Sequence, residues 1–452
     1  MALDQAEALA LADEVRRIRE AERERLDVIR SYLRDDPDED RPLGGLPPDA
    51  PADVRRLARV ARVNVLKYVV NARVQGMYVE GFQSPDQPGN LAVWEAWQRN
   101  RFAARQIGVH RAAIAYGAAY VVVLPGDPVP VMRGYSPRQL TAAYSSPDDD
   151  WPRAALIKGR GNRWRLIDDQ AVYELRSPGE TGERFEFVGA EDHGVTYDGE
   201  PVCPVVRYRD TDDLDDPVRG VVQPLIPLQD QINVTTFGLL VAQHYGAFRQ
   251  RYIIGWLAES EQQAAKMGAA RLMTFEDSPQ DVQVGEFAQT DLRGYIESRE
   301  ASIRHLATVS QTPAHELLGE LVNLSAEALE AARASHHAAV EEHRAICGEA
   351  HEQALTLAGE LMGVPVDPSA SVLWRDTRVR SLGEAAQAFG ALVRELGVPP
   401  RELWRRIPGI PQHEVEAWLA AAEEDDARDP LARLSAELRR QTEGETASAG
   451  AR

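Results

Sequence analysis

Lysine is nearly missing from this chain. Only Lys67, Lys158 and Lys266 occur, and arginine supplies the rest of the 51 basic side chains. The planar guanidinium suits interface ion pairs, although arginine-rich codon usage in a GC-rich genome is the simpler account. Cysteine is as scarce: Cys203 and Cys347 stand far apart in sequence. That spacing gives no disulfide framework and no sign of secretion. Long apolar runs are missing too. AYVVVL (119–124) and FGLLVA (237–242) are far too short to span a bilayer. The opening MALDQAEALALADEVRRIRE is charged and amphipathic, unlike a signal peptide. The class expected from these absences is soluble and cytoplasmic, with no membrane partner.

Motifs for common chemistries are missing as well. There is no GxxxxGK[ST] phosphate loop and no GxSxG elbow. HELLG at His315 and HEVEA at His413 open like a zinc-protease helix but lack the second histidine. Carboxylates abound without any pair standing out. The expectation is a protein that is not an enzyme and holds no cofactor.

Positive charge is in deficit: 71 acidic against 51 basic side chains give a net charge of −20. Such a chain repels phosphate over most of its surface, so it does not grip nucleic acid broadly. It can still surround DNA without holding it. At 452 residues, 44% hydrophobic and 27% charged, it is long enough for two or three globular domains.

Hydrophobic periodicity predicts helices over 4–34, 53–79 and 92–118, with the breaker-rich linker RPLGGLPPDAP at 41–51. Residues 119–209 change character. RWRLID, AVYELR, RFEFVG and VVRYRD read as short strands of a β-rich module. DTDDLDDPVRG (210–220) reads as an acidic exposed loop, without the glycine and final glutamate of a calcium loop. A helix follows from about Pro224, weak in propensity at Val234, Thr235 and Thr236, and so in need of neighbours. RYIIGWL and RLMTFE read as strands flanking a helix at 258–268, and 291–311 as another helix.

A long helix is predicted from Ser325, a plausible N-cap, to Met362, ended by Gly363 and Pro365. At 1.5 Å per residue it spans roughly 57 Å, the length of a strut. A strand at 371–377, helices at 382–396, 399–406 and 411–423, and a disordered polar end complete the pattern. Residues 393–419 mimic a helix-turn-helix, but Glu414 and Glu416 occupy the place of a DNA-reading face. A plain helical hairpin fits better.

The long helix carries SHHAAVEEHRAICGEAHEQA at 335–354. On a helical wheel His336, His343, Cys347 and His351 share one side, which suggests a metal site and a metal-dependent enzyme. Two facts argue instead for packing. The same side carries Leu329, Val340, Leu357 and several alanines, and ligands on successive turns of one straight helix step about 5.4 Å apart, too far to close a tetrahedron. Histidines stacked between copies in an oligomer would titrate near neutrality.

Two segments carry a family resemblance: IPLQDQINVTTFGLLVAQHYGAFRQRYIIGW (226–256) and TVSQTPAHELLGELVNLSAEALEAARASHHAAVEEHR (308–344). YVVNARVQGMYVEGF and WEAWQRNRFAARQIGVHRAAIAYGAAYVVVLPGD support it upstream. Over residues 20–425 the chain resembles portal proteins of long-tailed bacteriophages, in particular those of actinobacteria. The resemblance implies an α+β, mainly α fold with wing, stem, clip and crown. It implies a virion protein, assembled in the host cytoplasm. Usually about twelve copies form a ring, the head-tail connector, through which double-stranded DNA is packaged and ejected. The implied partners are further copies of the chain, the DNA, the large terminase, a head-completion adaptor, and the major capsid and scaffolding proteins.

Carried over by position, the resemblance implies an N-terminal helix and linker at 1–45, a wing at 46–223, and stem helices at 224–250 and 289–311. A clip at 251–288 separates the stem helices. A channel loop at 312–324 leads into a channel helix at 325–365, followed by a wing strand at 366–379, a crown at 380–425 and a tail at 426–452. The implied DNA-channel residues are Glu320, Leu321, Val322 and Asn323. The implied terminase or adaptor contacts are Arg251, Tyr252, Trp256, Lys266 and Arg271. Any of Arg249, Arg251, Arg293 or Arg304 is a candidate to face DNA. A scaffold or adaptor of another assembly, sharing only the helical architecture, is the remaining alternative.

Overall fold

The computed structural model describes residues 2–34, 49–85, 87, 90–178, 184–213, 219–246, 251–254, 283–286, 291–319, 326–375, 382–404, 407, 410 and 412–428. The fold is α+β and mainly α. The chain divides into two compact units, 1–79 with 92–372, and 80–91 with 373–452.

In the larger unit, α1 (Gln5–Leu33) starts at a capping box. The Asp4 carboxylate accepts from the backbone of Ala6 and Glu7, and the Glu7 side chain accepts from Asp4 N–H. Ala8, Ala12 and Val15 of α1 then pack on a five-stranded antiparallel meander. Its strands run in chain order: β4 (Leu140–Ala143), β5 (Ala154–Lys158), β6 (Arg163–Ile167), β7 (Ala171–Arg176) and β8 (Glu186–Asp192). On β5, Ala154 and Leu156 face the α1 core. Ala155 and Ile157 face a second core shared with Tyr120, Val122 and Val205. That second core belongs to a three-stranded sheet in which β2 (Ala118–Leu124) lies between β3 (Val131–Tyr135) and β11 (Val205–Arg209). Covering on both faces makes Ala154–Ile157 of β5 continuously apolar instead of alternating. The β-rich module is thus present, with the short hairpin β9 (Thr196–Tyr197) and β10 (Glu200–Pro201) beside it.

Several expected helices are divided. The stretch 53–79 forms α2 (Ala52–Val60) and α3 (Val65–Gln75), then strand β1 (Val79–Gln83). The break follows from competition for backbone groups. Val63 N–H donates to Asn233 Oδ1 at 3.0 Å, and Val63 C=O accepts from Gln229 Nε2 at 2.6 Å. Asn64 then caps α3 by accepting from Lys67 N–H at 3.2 Å. The stretch 92–118 forms α4 (Trp94–Arg99) and α5 (Phe102–Tyr116). Arg101 is left-handed at φ 52, and Asn100 Nδ2 donates to the carbonyls of Ala96 and Pro130.

The acidic loop also needs correction. Asp210 is 1% exposed, because it is paired inside the protein, whereas Asp212 is exposed beside Arg209. The helix α6 (Val222–Gly246) starts slightly earlier than expected. Strand β12 (Arg251–Ile254) pairs antiparallel with β13 (Gln283–Glu286). The strand expected at 271–276 and the helix expected at 258–268 lie outside the described residues.

Helix α7 (Arg293–Val309) and a single-turn α8 (Ala314–Leu318) precede α9 (Ala326–Met362), which is 37 residues and about 55 Å long. As expected, Gly363 ends α9 in the left-handed region at φ 66, and Val364 N–H closes on Gly359 C=O at 2.9 Å. Strand β14 (Ser371–Trp374) pairs with β1. In the smaller unit, α10 (Leu382–Leu396), α11 (Pro400–Trp404) and α12 (Gln412–Arg428) form the helical end, where Trp404 meets Trp418 edge-on at 6.3 Å. The expected tail lies outside the described residues from 429 onward.

Candidate functional site

The histidines of α9 do not converge. Among the described residues no group of three or more His, Cys, Asp or Glu could hold a metal ion. Three of the four wheel neighbours, His343, Cys347 and His351, instead take separate partners from other elements. His336 is half-buried with Nδ1 unpartnered, and its ring stands 6.3 Å from that of His337. Cys347 is fully buried, its thiol turned to Arg209 C=O, and burial pushes its pKa up to about 12. It is an inert packing thiol.

His343 belongs to a buried charge network. Its Nδ1–H donates to Ala339 C=O, since a carbonyl can only accept. Its Nε2 lies 2.7 Å from Asp210 Oδ1 and 3.3 Å from Arg73 Nη1. Arg73, 6% exposed on α3, also donates through Nη2 to Ser310 C=O at 2.8 Å. Burial raises the Asp210 carboxyl, although His343 and Arg73 pull against it. Arg73 therefore joins α3, the end of α7, α9 and the residue after β11 in a single polar knot.

His351 belongs to a second network one turn beyond Cys347. Its Nε2 faces His110 Nε2 of α5 at 2.7 Å, and its Nδ1 faces the Tyr208 hydroxyl of β11 at 2.9 Å. Trp97 and Phe102 wall the pair. Burial pushes His110 down to about 4 and His351 well below its ordinary range. The wheel reading correctly placed these residues on the packed side. Their partners Arg73, Asp210, His110 and Tyr208 were missed; an arginine within the apolar run of α3 was the one available hint.

The QDQIN segment has a structural task. Gln229 and Asn233, one turn apart and both buried, hold the α2–α3 break, and Gln229 Oε1 also accepts from Val65 N–H at 3.0 Å. Asp230 accepts the Tyr32 hydroxyl of α1 at 2.7 Å. The start of α6 is anchored in this way to α1, α2 and α3.

The rest of α6 is different. From Gln231 to Gln243 it carries no charged side chain, and from Val234 to His244 no residue is buried in the single chain. Val234 is 45% exposed. Thr235 and Thr236 return their hydroxyls to the carbonyls four residues back, at 2.8 and 2.7 Å, which hides their polarity. The beginning of α7 packs alongside. A side chain added at Gly238 would touch the Tyr295 ring at 3.0 Å. Tyr295 and Ile296 are exposed, whereas Ile303, Leu306 and Ala307 of α7 are buried. The α6–α7 pair is therefore rooted at one end and leaves an apolar surface open at the other.

Arg293 and Arg304 are exposed on α7, the latter paired with Glu300 at 3.2 Å. Arg251 and Tyr252 lie in β12. Arg249, Trp256, Lys266, Arg271, Glu320, Leu321, Val322 and Asn323 lie outside the described residues. The chain reaches the last four through α8, where Glu316 accepts from Tyr68 and pairs with Arg333 at 2.9 Å.

Comparison with known proteins adds an independent line. A family model described as phage portal protein, SPP1 Gp6-like, matches residues 12–428. The portal protein of Mycobacterium phage D29 is 26% identical over 404 residues, covering 83% of this chain and 81% of that one. Two solved chains, one from the virion of a native gene transfer agent particle and one from the neck of an empty particle, each show 16% identity and a TM-score of 0.49. Each covers 78% of this chain, with 91% and 92% of their own lengths matched.

Proposed function

This chain belongs to the SPP1 Gp6-like family of phage portal proteins, and from that premise we propose that copies of it close into a ring that conducts double-stranded DNA without catalysing a reaction. The family is structural, and the protein is the portal of a tailed phage, carried in the virion. The observation that supports a ring is the open half of α6. A helix apolar on every side is stable in water only when other surfaces cover it, and in the single chain Val234 is exposed while Thr235–Ala242 are only partly buried. Neighbouring copies, each offering its own α6–α7 pair, supply that cover.

In this reading the pair is the stem and α9 the strut behind the channel wall. Residues 46–223 with 366–379 serve as wing and 380–425 as crown. The segment 251–288, with Arg251, Tyr252, Trp256, Lys266 and Arg271, meets the terminase and afterwards a head-completion adaptor. Glu320, Leu321, Val322 and Asn323 approach the DNA. A charge of −20 per chain, repeated about twelve times, gives roughly −240 around the ring. A conduit benefits from that balance, since many phosphate ion pairs would stop a sliding duplex. Assembly in the host cytoplasm, beside capsid and scaffolding proteins, completes the proposal.

Negative-stain imaging of the purified chain tests it. Annular particles with a duplex-sized hole are expected, and Val234→Asp should abolish them while leaving the helical circular dichroism unchanged. Wild-type chains that stay monomeric across the whole accessible concentration range would overturn the reading.

A further inference from the structure

Helix α8 has no core of its own. None of its five residues is buried, and a single helical turn has almost no stability alone. Left-handed residues bracket it, Gln311 at φ 51 and Gly319 at φ 67, so the chain changes direction on both sides. Upstream, Arg73 fixes the approach by donating to Ser310 C=O. Within α8, the polar ties seen among the described residues come from Glu316. Its Oε2 accepts the Tyr68 hydroxyl of α3 at 2.9 Å. Its Oε1 faces two nitrogens of Arg333 on α9, Nε at 3.1 Å and Nη2 at 2.9 Å. Both carboxylate oxygens are engaged, and the donors come from two different helices. Arg333 lies in the part of α9, 328–338, where nothing is buried, so packing does not explain its placement. Burial together with the Glu316 bond raises the Tyr68 phenol to about 12, so it stays a donor.

We propose that Glu316 is a positioning residue: by tying α8 to α3 and α9 it sets the point at Gly319 from which the chain enters Glu320–Asn323, and so how that segment is presented to DNA. The tie itself stands on the distances above. Its consequence for DNA rests on the portal reading.

The test compares wild-type particles with Glu316→Ala, Arg333→Glu, and the exchanged pair Glu316→Arg with Arg333→Glu. Hydrogen exchange is the first readout. Glu316→Ala should speed exchange at 314–318 about tenfold, the scale of lost bonds to a charged group, with the buried amides of 347–358 unchanged. The exchanged pair should restore protection that Arg333→Glu alone loses. DNA packaged per assembled particle is the second readout. It should fall about tenfold in Glu316→Ala, at unchanged ring yield, and recover in the exchanged pair. Unchanged exchange at 314–318 would overturn the tie. A loosened α8 with unchanged packaging would overturn the link to DNA and leave the portal reading standing. Wild-type chains that form no ring would overturn the portal reading together with that link, and the exchange result would still decide the tie.

Discussion

His110 on α5 and His351 on α9 meet nitrogen to nitrogen, Nε2 to Nε2 at 2.7 Å, in a fully buried pocket. One proton lies between the two rings, and a second would set two cations side by side in an apolar enclosure. Unfolded, each imidazole takes a proton near pH 6.5. Folded, His110 is held down to about 4 and His351 lower than usual. Between those values the unfolded chain binds more protons, so stability falls as pH drops from about 6.5 towards 4. The His110 share of that loss is about 3 kcal/mol by pH 4. Asp210, raised by burial, acts in the opposite direction. Denaturant midpoints at pH 7.5 and 4.5 for wild type and His110→Gln therefore isolate the imidazole share. The variant is expected to lose less on acidification, and an equal loss would refute the assignment.

Arg73→Met should be among the most damaging substitutions on α3. It removes the donor to Ser310 C=O and leaves Asp210 buried without its nearby cation. Breaking a buried pair by removing one partner costs about 3 kcal/mol. Because Asp210→Asn relieves the stranded charge, the double variant should lose less than the sum of the two single losses. Urea unfolding of the four proteins measures the coupling.

Two glycines should respond oppositely to alanine. At Gly220 an added carbon would lie 2.4 Å from Ala115 O and 2.5 Å from Gly117 N, both backbone atoms that cannot step aside. Gly220→Ala should cost about 2 kcal/mol or more. Gly108, within α5 and exposed, has nothing within 4 Å. Gly108→Ala should stabilise by about 0.5–1 kcal/mol. Thermal unfolding distinguishes the two.

Neither cysteine should react while the protein is folded. Cys203 and Cys347 are buried free thiols, and burial raises both pKa values. An aromatic disulfide reagent at pH 8 should label neither thiol in the native protein and both after denaturation. Rapid native labelling would contradict the packing of α9 against β11.

The elements read correctly from sequence are those whose signals are local. The charged periodicity marked α1. Gly363 and Pro365 marked the end of α9, and turn residues punctuated the β-rich module. The breaks at 61–64 and 100–101 were not legible, because their causes are remote. Val63 turns aside for an Asn233 that lies 170 positions away.

The candidate site divides along the same line. The wheel put His343, Cys347 and His351 on one side of α9, and all three are buried there. It could not show that His343 looks to Asp210 and Arg73 while His351 looks to His110, 241 positions away.

By itself, then, the sequence determined the helices with clear periods and caps, the apolar run of α6, the acidic balance and the portal family resemblance. The tertiary structure alone decided which buried polar group answers which, where two long helices break, and that Glu316 ties α8 to α3 and α9. Periodicity is a property of neighbouring residues on one element. A buried charge or imidazole must be satisfied by whatever the folded chain brings beside it.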